Sequence, residues 1–149
     1  MINDFAGATG QLSVILRDAD GNIKQDVRVK NLVVNTGLNF MTSRMKDTTL
    51  AAMTHMAVGS GTTAAAAGDT ALETQISARV SLTSTTVTAN AIEYVAAFGA
   101  GVSTGAITEA GIFNASTAGT MLCRTVFSVV NKAAADTLQI TWTITINAV

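Results

Sequence analysis

The amino-acid sequence predicts an all-β domain: a sandwich, jelly roll or barrel of about eight short strands, with one short helix. Three observations predict it. In Leu138–Ile146 (LQITWTITI) apolar residues hold every even position and Gln or Thr every odd one, the period of a strand with one buried and one wet face. Turn-forming sequence recurs between such segments, at Asp20-Gly21, through Gly119 and across Asn131–Asp136. Helical spacing of apolar residues is confined to Gly37–Lys46, where Leu38, Met41 and Met45 would share a face beside Phe40.

In chain order, residues 1–10 (MINDFAGATG) are small and weakly patterned and read as a flexible N-terminal arm, with residues 11–149 as a single β-sandwich domain. Gln11–Leu16 and Ile23–Lys30 read as strands joined by a hairpin through Asp20-Gly21, a pair suited to the two positive φ angles of a type I′ turn. Asn31–Asn35 is a further short extended piece, and the helix Gly37–Lys46 follows with Thr36 as its cap. His55–Val58 is a short strand that runs into the small-residue sequence Gly59-Ser60-Gly61-Thr62-Thr63 and Ala64–Ala67, read as a flexible loop. Asp69–Gln75 reads as one helical turn capped by Asp69. The remaining strands are Ala78–Thr88, Asn90–Phe98, Ala110–Asn114, Met121–Val130 and Leu138–Ile146, with Ala100–Gly105 a loop. No fixed-period repeat is visible.

The 149 residues suffice for one domain with a real core. Nine basic and ten acidic residues give a net charge of −1, which leaves no basic excess to neutralise phosphates and argues against a nucleic-acid partner. Charged residues make up 13% of the chain, about half the usual share. Ala, Thr, Ser and Gly replace them, and a surface so poor in charge points to one covered in an assembly. The single cysteine, Cys123, lies in an apolar run and reads as a buried small hydrophobe. The start Met-Ile-Asn-Asp-Phe has no basic and apolar leader pattern, and no apolar run approaches the length of a membrane helix, so the expectation is synthesis in a reducing cytoplasm with no membrane partner. Asn114-Ala115-Ser116 matches a glycosylation sequon, which carries no meaning without secretion.

Little in the sequence points to chemistry. Asp18-Ala19-Asp20-Gly21-Asn22 resembles the start of a calcium loop, but the glycine is fourth rather than sixth and the twelfth residue is Val29 where a bidentate Glu is required. Gly59-Ser60-Gly61-Thr62-Thr63-Ala64 fits G-x-G-x-x-A, without the helix and downstream acid that a dinucleotide site needs. His55 is the sole histidine, and His55 with Cys123 is too small a set for zinc. No G-x-S-x-G elbow occurs. Glu93 and Glu109 are far apart in sequence, and nothing marks them as a facing glycosidase pair. Met41, Met45, Met53 and Met56 read as core filling around the helix. The expectation is therefore no catalytic residue, no cofactor and no metal.

Two blocks carry a family resemblance. One is His55–Gln75 (HMAVGSGTTAAAAGDTALETQ). The other is Glu109–Ala115 (EAGIFNA) with Gly119–Phe127 (GTMLCRTVF) and the closing strand TLQITWTITI. Together they resemble small structural proteins of tailed bacteriophages over roughly residues 31–147. The resemblance implies a capsid cement or decoration protein, a jelly-roll-like β-sandwich bound across junctions of the major capsid protein on the head surface of the virion. It implies a homo-oligomer, dimer or trimer, made in the host cytoplasm. The candidate interface residues are Met1, Ile2, Asn3, Asp4 and Phe5 of the arm and Gly59, Ser60, Gly61, Thr62 and Thr63 of the loop, chosen for low local order and small side chains. The alternative is a tail, baseplate or fibre component. A carbohydrate-binding or hydrolytic domain would need exposed aromatics, whereas this chain has one Tyr and one Trp, and the alternation puts Trp142 in the core.

Overall fold

A computed structural model describes residues 7–47 and 50–147. The fold is all-β with one short helix. The elements are β1 (Gly7–Arg17), β2 (Ile23–Val33), α1 (Asn35–Lys46), β3 (His55–Gly59), β4 (Val80–Ser81), β5 (Ser84–Thr88), β6 (Ala91–Phe98), β7 (Gly105–Phe113), β8 (Met121–Lys132) and β9 (Thr137–Asn147). All pairings are antiparallel, in the order β4-β3-β7-β8-β2-β1-β9-β6-β5.

This sheet curls into two facing layers, and two segments make the corners. β2 pairs with β1 from Ile23 to Asn31, then shifts Leu32 and Val33 onto Arg124 and Cys123 of β8. At the other corner, β4 and β5 occupy opposite ends of the sheet order yet are separated only by Leu82 and Thr83. The Leu82 N–H donates to the Thr54 carbonyl and the Thr83 N–H to the Val95 carbonyl, so the two ends of the sheet meet. The segment Ala78–Thr88, expected as one strand, is thus a bent path serving both layers.

Alternation places the core between the layers. Leu12, Val14 and Leu16 of β1, Tyr94, Ala96 and Phe98 of β6, and Leu138, Ile140, Trp142 and Ile144 of β9 face Met56, Val58, Ile107, Ile112, Leu122, Phe127 and Val130 from the other layer in one cluster. Trp142 is fully buried, as its even position in the strand predicts. Cys123 is also fully buried on this inner face, and burial pushes its thiol well above the ordinary range. The opposite faces of β1 and β9 carry Gln11, Ser13, Thr141, Thr143 and Thr145, paired across the two strands.

Several local expectations are corrected. Gly7–Gly10 belong to β1, where they pair with Asn147–Ile144 of β9, so that part of the expected arm is sheet. Asn31–Val33 continue β2 rather than forming a separate piece. The hairpin turn has positive φ at Gly21 but not at Asp20, with the Gly21 N–H bonded to the Asp18 carbonyl, so it is not type I′. Asp18 shapes it instead: its carboxylate accepts the Asp20 and Asn22 N–H groups at 2.9 Å, and the Asn22 N–H holds its pKa below the usual carboxylate value.

The helix begins two residues earlier than expected, with Val34 at the cap position and no side-chain cap. Thr36 does not cap it, because its hydroxyl donates to the Met121 carbonyl at 2.7 Å and ties the first turn to β8. Gly37 faces the same strand, and a Cβ there would collide with the Leu122 carbonyl oxygen. Gly37→Ala, which in a solvent-exposed helix would stabilise by up to about 1 kcal/mol, is therefore expected to lower stability by about 1–3 kcal/mol through overpacking. Chemical denaturation of the two proteins checks the sign.

Candidate functional site

Charged residues inside apolar strands are rare unless paired, and two such residues organise this molecule. Glu109 lies in the β7 sequence AITEAGIF and Arg124 in the β8 sequence MLCRTVF. Cross-strand pairing puts Gly59 opposite Glu109, and Ala57 and Arg124 on either side of Gly111, all on the outer face of this layer. That face would ordinarily meet water. Here Glu109 is fully buried and Arg124 is 2% exposed, because residues 60–77 fold back over it.

The Glu109 carboxylate holds this cover from beneath. Its Oε1 accepts the N–H groups of Gly61 at 3.1 Å and Thr74 at 2.7 Å, and its Oε2 accepts the Glu73 N–H at 3.0 Å. Arg124 completes the arrangement: Nε donates to Glu109 Oε2 at 2.9 Å, Nη1 to Asp69 Oδ2 at 2.8 Å, and Nη2 to the Thr63 carbonyl at 3.0 Å. Glu73 lies 3.7 Å from Nη2 and accepts both the N–H and the hydroxyl of Thr63. The Thr108 hydroxyl donates to the Gly61 carbonyl at 2.7 Å, and Ser60 N–H and Ile76 N–H bond to the Thr74 and Val58 carbonyls.

The glycines permit this approach. A Cβ on Gly59 or Gly61 would overlap the Glu109 carboxylate. Apolar contacts seal one side, where Leu72 packs with Val34, Ala57, Phe113 and Met121 in a second small cluster. Arg79 stacks over Phe113, 3.5 Å from the ring centre, and donates to the Ala115 and Ala118 carbonyls.

The charges respond accordingly. Burial alone would raise the Asp69 pKa, but the Ala66 N–H and the Arg124 guanidinium outweigh it and hold it below the ordinary value. Glu73 is held low by the Thr63 N–H and hydroxyl. Burial lowers the affinity of Arg124 for its proton, yet Asp69 and Glu109 reverse that and raise it.

The loop expected to be flexible is therefore a fixed cover. Gly59 and Gly61 are buried within it, while Ser60, Thr62 and Thr63 are exposed at its rim. Residues 69–75 form no helix, and Asp69 accepts the Ala66 N–H while pairing with Arg124 rather than capping a turn. Met1–Phe5 lie outside the described residues.

The other candidates are not brought together. His55 is half-buried on the outer face opposite Phe113, with Nδ1 2.8 Å from the Thr54 hydroxyl, while Cys123 points to the inner face. Glu93 is exposed on β6, on the layer opposite Glu109, so the two carboxylates do not face each other. Among the described residues no group of three His, Cys, Asp or Glu is placed to hold a metal, and the cationic Arg124 occupies the centre of the acidic group. A depression of about 250 Å³ lies over Arg124, walled by Thr63, Asp69, Ala71 and Glu73. The arrangement is built to fix a loop. The signal in the sequence was a charge within each of two apolar strands. No protein-family model, curated protein or solved structure matches this chain.

Glu109→Ala leaves Arg124 and three backbone N–H groups without their acceptor, and is expected to destabilise the protein by about 3–5 kcal/mol. Limited proteolysis should then cut within residues 60–77, where the parent protein resists. The depressed carboxylates Asp69, Glu73 and Asp136 bind protons less readily folded than unfolded. Their contribution is full above the ordinary carboxylate range, roughly pH 4, and is lost as pH falls through the lower folded values. Denaturation midpoints measured across this range should fall on the acid side only.

Proposed function

We propose that this chain is a non-enzymatic structural protein of a tailed-phage virion, a cement or decoration protein bound across junctions of major capsid subunits on the head. The identity rests on the resemblance of the two sequence blocks. The structure adds that these blocks are one physical unit, since Glu109 and Arg124 of the second clamp the loop of the first.

The observation that carries the reading is where polar chemistry is spent. The convergent acids and the arginine are engaged with one another and with backbone. The broad outer face of β1 and β9 offers instead Thr9, Gln11, Ser13, Thr141, Thr143 and Thr145, short or neutral side chains at shallow depressions of about 350 and 180 Å³ that are edged by Lys30 and Arg28 of β2. Such a face loses little hydration when another protein closes over it, and ordering short side chains costs little entropy. A rigid cover and a sheet face rich in short neutral side chains suit a protein that must keep its shape while bound.

The mechanism follows from linkage. Internal pressure pulls capsid subunits apart, and a protein bound across their junction loses contact when they separate. Its binding free energy then opposes rupture. Many copies on one shell act together, so modest affinity per contact suffices. Association of two or three copies of this chain would extend the same effect.

Labelled antibody or cryo-EM on intact particles tests the location. Label over the head is the expected result. Label confined to the tail would move the protein to a baseplate or fibre role, and bare particles would end the virion reading. Thr143→Lys places a charged side chain on the sheet face, opposite Glu93 and without touching the core. It is expected to weaken particle binding about tenfold or more, a loss of about 1.4 kcal/mol, with an unchanged melting temperature.

A further inference from the structure

Lys30 and Glu93 have no ion-pair partner among the described residues, in a molecule where most charges are engaged, as in the Arg124 cluster or between Lys24 and Asp136. Both are exposed on the outer face of the layer β2-β1-β9-β6, and strand register puts them in one row. Lys30 pairs with Gln11, Gln11 with Thr143, and Thr143 with Glu93. The row therefore has a positive end on β2, a negative end on β6 and neutral residues between. Three strand spacings separate the ends by about 14 Å.

We propose that this face is a contact between two copies of the chain, related by a two-fold axis parallel to the strands and midway between β1 and β9. That rotation lays β2 of one copy over β6 of the other, and β1 over β9. Because the four residues share a row, Lys30 comes opposite Glu93 of the second copy and Glu93 opposite its Lys30. Gln11 and Thr143 face each other between the two charge pairs. The interface is isologous, and one row of one chain supplies both halves of it.

Charge selects this orientation. A two-fold axis laid along the row would stack Lys30 on Lys30 and Glu93 on Glu93, a like-charge arrangement that opposes association. Lysine and glutamate are long enough to meet across the about 10 Å between stacked sheets. Their flexible stems absorb the crossing of about 30° that twisted sheets adopt. In the next row Arg28, held by Asp26 at 3.6 Å, comes over Val95 of the second copy, and Ser13 over its Thr141. The proposal rests on the preceding reading only in taking this face as one that is covered. Two joined copies grip a particle at two points, so loss of the self-contact also weakens particle binding through lost avidity.

Sedimentation equilibrium of the full chain in solution tests this. The parent protein is expected to form a dimer that weakens as salt rises. Lys30→Glu and Glu93→Lys each set like charges against each other and are expected to raise the dissociation constant about tenfold or more. Both positions are exposed, so either variant alone carries the test, with circular dichroism to confirm its fold. An equal mixture of the two single variants restores both opposite-charge contacts, as does the double variant Lys30→Glu with Glu93→Lys, and each should recover the parent's dimer. A monomeric parent, folded single variants that pair as tightly as the parent, or a mixture that fails to pair would each overturn the proposal. Monomers that decorate heads would leave the virion reading standing and end this one, whereas charge-dependent dimers with bare particles would do the reverse.

Discussion

The buried pair of Glu109 and Arg124 is the constraint on which the outer half of this structure depends. A carboxylate and a guanidinium removed from water each carry a desolvation cost of several kcal/mol, which one mutual contact does not reliably offset. Here the offset comes from the surroundings. Glu109 accepts from three backbone N–H groups as well as from Arg124, and Arg124 donates to Glu109, Asp69 and the Thr63 carbonyl. Each of those backbone groups belongs to the loop, so the pair is satisfied only while the loop is in place. The loop in turn has no extended hydrogen-bonded structure of its own apart from the bridge between Gly59 and Gln75.

This dependence explains why small residues dominate the region. Gly59 and Gly61 admit the carboxylate, and Leu72 is the one large apolar side chain of the loop that is fully engaged below it. A second group of charges uses the same logic on a smaller scale. Lys24 bonds Asp136 at 2.7 Å, Asp136 also accepts the Ala133 N–H, and the buried Lys132 donates to the Gly99 carbonyl at 2.8 Å. Charge is scarce in this chain, and much of it serves to fasten connections to the sheet.

The strands were legible in the sequence because a period of two is written directly in residue order. β9, β6 and the hairpin of β1 and β2 show it, and Trp142 falls where alternation puts it. What was not legible depends on partners distant in sequence. Small residues such as those of 59–67 look mobile when read alone, and their order comes from Glu109 and Arg124, tens of residues downstream. Ala78–Thr88 alternates like a single strand, and only the meeting of the two layers bends it at Leu82 and Thr83. Thr36 resembles a cap until the Met121 carbonyl appears beside it. The embedded charges of β7 and β8 were the available clue to the network, since an ionised group in an apolar strand demands a partner. The sequence named the demand without naming who meets it.

The position of β9 has a consequence for how the chain reaches this state. It is the latest of the nine strands in chain order, yet it lies between β1 and β6 and pairs along nearly its whole length with each. Until it is synthesised, β1 with β2 and β6 with β5 are separate hairpins that have no hydrogen-bonded contact with each other. Their inner faces, with Leu12, Val14, Tyr94 and Phe98, lack the strand that carries Trp142 between them. The layer therefore assembles after translation of the domain rather than progressively during it, and the emerging chain exposes two unpaired apolar edges for that interval. A chaperone would meet this protein first with β1 and β6 unjoined, and only later as a closed sandwich.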